Sequence, residues 1–269
     1  QPNVGKSSVF NLLTGLNQHV GNWPGKTVEQ KIGTYTYNGT KVNLVDLPGT
    51  YSLTANSVEE TIAREFIIRE KPNVVVALLS APLLERNLYL VAELLHLETP
   101  VVIALNMMDM AESEGIRIEP KVLEAAIGLP VVPMIATKGL GARELVEAVN
   151  GVAKGRIPLR PKRPEIQPDH AQILDRLISL IGDHVPEDYP EQWVALKLLE
   201  GDAEINEMMQ ARLPPEVWEE VSRILLEHED AVIAVAGGRY EWVARMVRAA
   251  VVRPRAGQMA RSGGGGGRG

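Results

Sequence analysis

The spacing of apolar residues changes character along the chain. Over residues 31–37 and 41–46, β-forming residues alternate with polar ones, and Asn38-Gly39 between them is a dipeptide that favours a tight hairpin turn. Residues 74–80, 101–106 and 131–134 are instead continuous apolar runs, the pattern of strands covered on both faces. Helical spacing fills the intervals at 6–14, 58–70, 85–97, 120–127 and 142–153. Strands and helices in alternation predict an α/β fold over residues 1–156, with a mostly parallel sheet covered by helices.

Residues 157–168 then carry four prolines and several charges, so 157–166 reads as a linker. Beyond it the period is helical. Ile173, Leu174, Leu177, Ile178 and Ile181 form one stripe, and Trp193, Leu196 and Leu199 a second. Trp218, Val221 and Leu225 form a third, which predicts a small all-helical domain over 167–253. Residues 231–238 read as a helix broken at Gly237-Gly238, with a strand as the alternative. The stretch 254–269 contains five consecutive glycines and reads as a linker, a tag or a disordered end. Its Met259-Ala260-Arg261-Ser262 has the look of a protein's beginning, which leaves a permuted order open.

Composition narrows the chemistry. The chain of 269 residues is 45% hydrophobic and 23% charged, ordinary for a globular protein. A net charge of -6 argues against a broad nucleic-acid-binding surface. The absence of cysteine removes disulfides, thiolate metal sites and cysteine nucleophiles. The five histidines are scattered without metal-ligand spacing. No apolar run approaches the ~20 residues of a spanning helix, so the chain taken alone reads as soluble and cytoplasmic.

Asn3-Val4-Gly5-Lys6-Ser7-Ser8 is the second half of a P-loop, entered part-way, so a first glycine and a feeding strand are expected before Gln1. Gly5 lets the backbone close on phosphates, with successive N–H groups pointing inward at a helix start. Lys6 supplies a point charge to the β- and γ-phosphates, and Ser7 offers its hydroxyl to Mg²⁺. About forty residues later Asp46-Leu47-Pro48-Gly49 closes an apolar strand. A DxxG there puts Asp46 near the Mg²⁺ shell and lets the Gly49 N–H reach the γ-phosphate. Between them, residues 21–27 form a loop of two glycines, an asparagine and a proline. Thr27 is its candidate switch threonine, also directed at Mg²⁺, and Trp23 reads equally well as a packing aromatic.

Asn106-Met107-Met108-Asp109 follows the strand at 101–105 and matches NxxD. The Asp109 carboxylate can accept hydrogen bonds from N1–H and the 2-amino group of guanine. Adenine offers neither and would leave it unpaired. Asn106 is expected to bridge neighbouring loops, and Met107 stands where NKxD has lysine. Ala136 and Thr137, after the strand at 131–134, sit where backbone N–H groups would contact the base oxygen.

These segments together resemble the FeoB family of bacterial ferrous-iron transporters. The resemblance is carried by Pro2-Asn3-Val4-Gly5-Lys6, the stretch from Val20 to Glu29 with its Asn22-Trp23-Pro24-Gly25, Asp46-Leu47-Pro48-Gly49-Thr50-Tyr51-Ser52-Leu53 and Asn106-Met107-Met108-Asp109. Leu198-Leu199-Glu200-Gly201-Asp202 and Arg239-Tyr240-Glu241 extend it to about residue 253. It implies a Ras-like G domain, then a helical domain that tunes GDP affinity, on the cytoplasmic side of a membrane protein. Ras-type enzymes carry a water-orienting glutamine soon after DxxG, where this chain has Thr50 and Tyr51. The resemblance implies that Asn3, with the carbonyls of Gly21 and Trp23, binds K⁺ in place of an arginine finger. It also aligns Glu59 and Glu60 with an acidic second-switch segment, for which two solvated helix-start glutamates are the alternative. Lys26 departs from the family's apolar residue at that position.

The expected ligands are thus GTP or GDP, Mg²⁺ and K⁺. The expected partner is the membrane portion of the same transporter, with self-association open and no nucleic acid. The expected activity is K⁺-stimulated GTP hydrolysis regulating or powering Fe²⁺ uptake. An Era-like RNA- or ribosome-associated GTPase is the alternative, as is a nucleotide-binding module in which hydrolysis is incidental.

Overall fold

A computed structural model of the protein describes residues 3–252. Gln1, Pro2 and residues 253–269, including the glycine-rich stretch, lie outside the described residues. The first helix, α1 (Lys6–Thr14), leads into β1 (Gln18–Asn22), β2 (Glu29–Tyr37) and β3 (Thr40–Asp46), which form an antiparallel sheet. Asn38 and Gly39 turn the β2–β3 hairpin with φ of 47° and 76°, the pair of positive angles a type I′ turn requires. The strand β1 covers Gly21 and Asn22, so the loop expected over 21–27 begins only at Trp23. Edge strands as polar as Gln18-His19-Val20-Gly21-Asn22 give no apolar alternation to read; pairing with β2 alone defines this one.

Next come α2 (Val58–Glu70), β4 (Val75–Ser80), α3 (Leu84–His96), β5 (Val101–Asn106) and the short α4 (Met108–Ser113). They are followed by β6 (Arg117–Ile118), α5 (Pro120–Ile127), β7 (Val131–Pro133) and α6 (Ala142–Ala153). The strands β4, β5 and β7 form a parallel sheet with β5 at its centre, and every residue of β5 is buried, as its unbroken apolar run predicts. Among the described residues the two larger sheets are not hydrogen-bonded to each other. The unpaired edges of β3 and β4 border one cleft, covered by Val9, Phe10 and Leu13 of α1 on one side and by Ile67, Leu90 and Leu94 of α2 and α3 on the other.

The second part is helical: α7 (Pro168–Ile181), α8 (Glu191–Leu199), α9 (Ala203–Arg212), α10 (Pro215–Glu227) and α11 (Ala231–Ala250). The expected break in the last helix does not occur, because α11 runs uninterrupted through Gly237 and Gly238. Gly238 serves close approach instead. A Cβ there would lie 2.6 Å from the Glu165 carbonyl oxygen, so the glycine lets the connecting segment cross the helix. That segment is strapped down: Arg160 N–H donates to Gly128 O, Lys162 N–H to Ile127 O and Trp242 Nε1 to Lys162 O.

Helix α11 packs on α3 and α5 of the α/β part. After it, β8 (Val251–Val252) pairs antiparallel with β6. Leu88, Leu105, Trp193 and Trp242 belong to one continuous apolar core spanning both parts. Within the described residues no helix is long and apolar enough to cross a membrane.

Candidate nucleotide site

At the start of α1 the chain bends sharply, with Asn3 at φ 57° and Gly5 at φ 84°. Gly5 is obligatory for two reasons: its backbone is left-handed, and a Cβ would sit 2.4 Å from Asn106 Nδ2. No acidic side chain occupies the first turn of α1, and Ser7 and Ser8 are exposed there, so the positive end of the helix faces outward. The Lys6 ammonium lies 2.9 Å from Asp46 Oδ1 and donates to the Leu47 carbonyl at 2.6 Å. The DxxG turn at the end of β3 is therefore held against the P-loop by the lysine that would otherwise face phosphate. Asp46 and Leu47 of this turn lie directly beside Lys6, and Gly49 follows two residues after Leu47.

Asn106, at the end of β5, is 3% exposed and joins two loops. Its Nδ2 donates to the Val4 carbonyl at 3.0 Å, and its Oδ1 accepts from the Ala136 N–H at 3.0 Å. The bridging role expected of it is what the geometry shows. Met107 takes a left-handed φ of 62°, which turns the chain so that Asp109 falls in the first turn of α4. Asp109 is half-exposed, and its only charged neighbour among the described residues is Lys138 Nζ, at 3.6 Å. The Met107 sulfur accepts a weak contact from Ser80 Oγ at 3.6 Å. Ala136 is buried while Thr137 is exposed, both in a short 3₁₀ turn over Ala136–Lys138. Lys6 thus joins the P-loop to the turn after β3, and Asn106 joins it to the 3₁₀ turn after β7. Asn106 ends the parallel strand β5 and Ala136 follows the C-terminal end of β7, where open α/β sheets bind ligands.

The remaining expected residues divide. Trp23, Pro24, Gly25 and Lys26 form a turn closed by Lys26 N–H donating to Trp23 O, with Gly25 at φ 68° as a type II turn requires. The Trp23 ring is buried against Phe66, edge to face at 5.7 Å, so the packing reading of Trp23 holds. Thr27 is exposed. No hydrogen bond joins Asn3 to Gly21 or Trp23 among the described residues. Gly21 is instead paired with Gln30 in the β1–β2 ladder. Glu59 is exposed on the first turn of α2, whereas Glu60 accepts from Ser52 Oγ at 3.0 Å and from the Asn56 N–H at 2.9 Å. The resemblance aligns both with the second-switch segment; the Ser57-x-x-Glu60 spacing of a helix-start capping box is the sequence signal that points to Glu60.

Comparison with known proteins follows the same division of the chain. Residues 1–149 match the family described as ferrous iron transport protein B, and residues 168–252 match the FeoB cytosolic helical domain. The chain belongs to the FeoB family. The Fe(2+) transporter FeoB of Escherichia coli K12 is 37% identical over 258 residues, covering 90% of this chain and 31% of that protein. The FeoB of Methanocaldococcus jannaschii is 39% identical over 256 residues, covering 92% of this chain and 37% of the relative. The chain therefore spans about a third of the length of the FeoB transporters it matches.

Solved FeoB structures superpose on nearly all of it. The L. pneumophila FeoB cytosolic domain gives a TM-score of 0.82 at 33% identity, over 94% of this chain and 97% of that one. The T. maritima FeoB cytosolic domain in its GMPPNP form gives 0.78 at 32%, over 93% and 96%. A GDP-bound S. thermophilus NFeoB variant gives 0.84 at 32%, over 94% and 97%. The helical part is thus the FeoB helical domain, appended to an α/β G-domain fold.

Proposed function

We propose that this chain is the guanine-nucleotide-binding, GTP-hydrolysing unit of a ferrous-iron transporter, acting on the cytoplasmic face of a membrane whose spanning portion is its partner. Its organisation on this reading is a G domain over 1–156, a linker over 157–166 and a helical domain over 167–253. The observation that carries the proposal is the Asn106 bridge. By bonding both the Val4 carbonyl and the Ala136 N–H, it ties the P-loop to the Ala136–Lys138 turn, and Lys138 of that turn faces Asp109, which supports one shared site. A guanine base would present N1–H and its 2-amino group to Asp109 and its oxygen to the Ala136 and Thr137 amides, with the Met107 stem against its face. The backbone N–H groups of residues 3–8 would hold the phosphates at the start of α1. The GDP and GMPPNP forms of the related structures support a guanine ligand.

The donor set for a divalent ion is all oxygen: the Ser7 and Thr27 hydroxyls and the Asp46 carboxylate. That chemistry suits Mg²⁺. Bound there, Mg²⁺ would neutralise charge on the β- and γ-phosphate oxygens. On ligand entry Lys6 would exchange Asp46 and Leu47 for phosphate oxygens, freeing the carboxylate for the metal shell and the Gly49 N–H for the γ-phosphate. K⁺ stimulation through Asn3, Gly21 and Trp23 rests on the family resemblance. The Trp23 carbonyl already accepts from the Lys26 N–H, and Gly21 lies in the β1–β2 ladder.

Turnover of GTP against ATP, with K⁺ and with Na⁺, tests the reading. GTP-selective hydrolysis accelerated by K⁺ is expected. Equal use of ATP would refute the base site, and indifference to K⁺ would remove the monovalent-ion step. Asp109→Asn should shift preference toward xanthine nucleotides, measured by competition binding. Lys6→Ala should abolish GTP binding, and Asn3→Ala should erase K⁺ stimulation while leaving binding intact.

A further inference from the structure

Between Glu147 and Glu165 the chain carries no acidic residue and five basic ones: Lys154, Arg156, Arg160, Lys162 and Arg163. The chain as a whole has a net charge of -6, so this run stands against the balance of the rest. All five residues are exposed, and none is ion-paired with a carboxylate among the described residues.

The segment that carries them is fixed to the surface. Pro158, Pro161 and Pro164 bias the residue before each of them toward extended backbone. From Arg156 to Lys162 exposure alternates: Arg156, Pro158, Arg160 and Lys162 are exposed, and Ile157, Leu159 and Pro161 are half-buried. Ile157 and Leu159 pack on the apolar core beneath. Gly151 makes room for the first of them, since a Cβ there would lie 2.5 Å from Ile157 Cδ1. The Ile157 N–H donates to Gly151 O, the Arg160 N–H to Gly128 O and the Lys162 N–H to Ile127 O. Arg156, Arg160 and Lys162 therefore share the outward side of a pinned strip that reaches up to about 20 Å.

Two of the five cations have a local use. Lys162 Nζ donates to the Ala125 carbonyl at 3.2 Å and Arg163 Nε to the Leu95 carbonyl at 2.8 Å, at the negative ends of α5 and α3. Lys154 Nζ donates to the Thr40 hydroxyl at 2.9 Å. The guanidinium groups of Arg156 and Arg160 have no partner among the described residues, so the fold does not account for them. We propose that residues 154–163 form a docking strip for an anionic phospholipid surface, with Arg156 and Arg160 as its leading contacts. Each cation brought to such a surface strengthens binding about fivefold. At about 0.1 M salt, charges more than about 10 Å away are screened, so the acidic remainder of the chain does not cancel the strip. Residues 148–164 contain no aromatic side chain on which bases would stack, which makes single-stranded nucleic acid the poorer occupant. Lipid binding by the strip needs no nucleotide in the site described above.

Co-sedimentation of the whole chain with vesicles tests it. Phosphatidylcholine alone is compared with phosphatidylcholine carrying about 30% phosphatidylglycerol, at about 0.1 M and about 0.5 M salt. Binding to the anionic vesicles alone, lost at the higher salt, is expected. Arg156→Gln together with Arg160→Gln should weaken partition about tenfold to thirtyfold. Both side chains are exposed and unpaired, so the thermal midpoint of this variant should match wild type. Arg176→Gln together with Arg223→Gln removes the same charge from α7 and α10 and should change partition less than about twofold.

Equal partition onto neutral and anionic vesicles, or wild-type partition in the Arg156/Arg160 variant, would overturn the lipid-docking strip. An equal loss in the Arg176/Arg223 variant would overturn it too, because net charge and not the strip would then be acting. Single-stranded RNA that binds more tightly than the anionic vesicles, and loses its affinity in the Arg156/Arg160 variant, would replace lipid by nucleic acid as the occupant.

Discussion

The residue that organises the site is Asn106, and its role follows from supply and demand in hydrogen bonding. The Val4 carbonyl and the Ala136 N–H are main-chain groups at the ends of two loops that lack a ladder partner there. One buried amide answers both. Asn106→Ala should therefore destabilise the chain by about 2–4 kcal/mol, since two buried backbone groups lose their partner at once. Urea unfolding would measure it, and a loss below 1 kcal/mol would mean that water replaces the amide at no cost. A second consequence concerns Gly5, where an added methyl group would strike the Asn106 amide. Gly5→Ala should weaken guanine-nucleotide binding even though the P-loop keeps its lysine. Glu59 and Glu60 are adjacent carboxylates on one helix start, equivalent by composition; the Ser57-x-x-Glu60 spacing distinguishes them, and the fold of residues 52–56 supplies the Ser52 and Asn56 donors that Glu60 accepts from.

Among the elements, α11 carries the sharpest lesson. Two consecutive glycines inside a helix cost about 1 kcal/mol each against alanine, which is why a break is the natural expectation. Packing overrides that cost in α11, and it does so differently at the two positions. Nothing lies within 4 Å of a Cβ built at Gly237, so Gly237→Ala should raise stability by about 0.5–1 kcal/mol. At Gly238 the same change meets the Glu165 carbonyl and should lower it. Opposite signs of the shift in thermal midpoint for these neighbours would confirm the assignment, and equal signs would contradict it.

For the molecule as a whole, the two parts are joined by buried charge, by a shared apolar core and by the β6–β8 pair. The charge has a signature in pH. Burial, reinforced by nearby Arg239, Arg163 and Lys197 and only partly opposed by Glu200, holds His96 neutral and lowers its pKa from 6.5 to about 4. Below pH 6.5 the unfolded chain takes up a proton that the folded chain refuses. This contribution to stability is therefore complete above pH 6.5 and is lost as the pH falls to about 4, by about 2–3 kcal/mol in all. His96→Gln should flatten the stability profile in that window relative to wild type, as followed by urea unfolding from pH 4 to 7. Glu93 is pushed upward by burial despite Lys197 and Arg239, whereas Glu200 is held low because those same two cations outweigh its burial. The difference between wild type and His96→Gln isolates the imidazole from both.

By itself the sequence determined the local alphabet of this protein. Periodicity placed β5 and the helices near their true bounds, the Asn38-Gly39 pair turned the hairpin, and the NxxD spacing put Asn106 and Asp109 after a buried strand. Those features are legible because each depends on contacts within a few residues. Tertiary structure decided the rest. It made β1 a strand by pairing, kept α11 whole by bringing Glu165 across Gly238, and paired β6 with β8 across more than a hundred residues. It also turned Arg64, Glu93, Lys197, Asp202 and Arg239 from apparent surface charges into the buried joint between the two parts. A charged side chain is buried only when a partner arrives from elsewhere in the chain, and no local pattern announces where that partner will be.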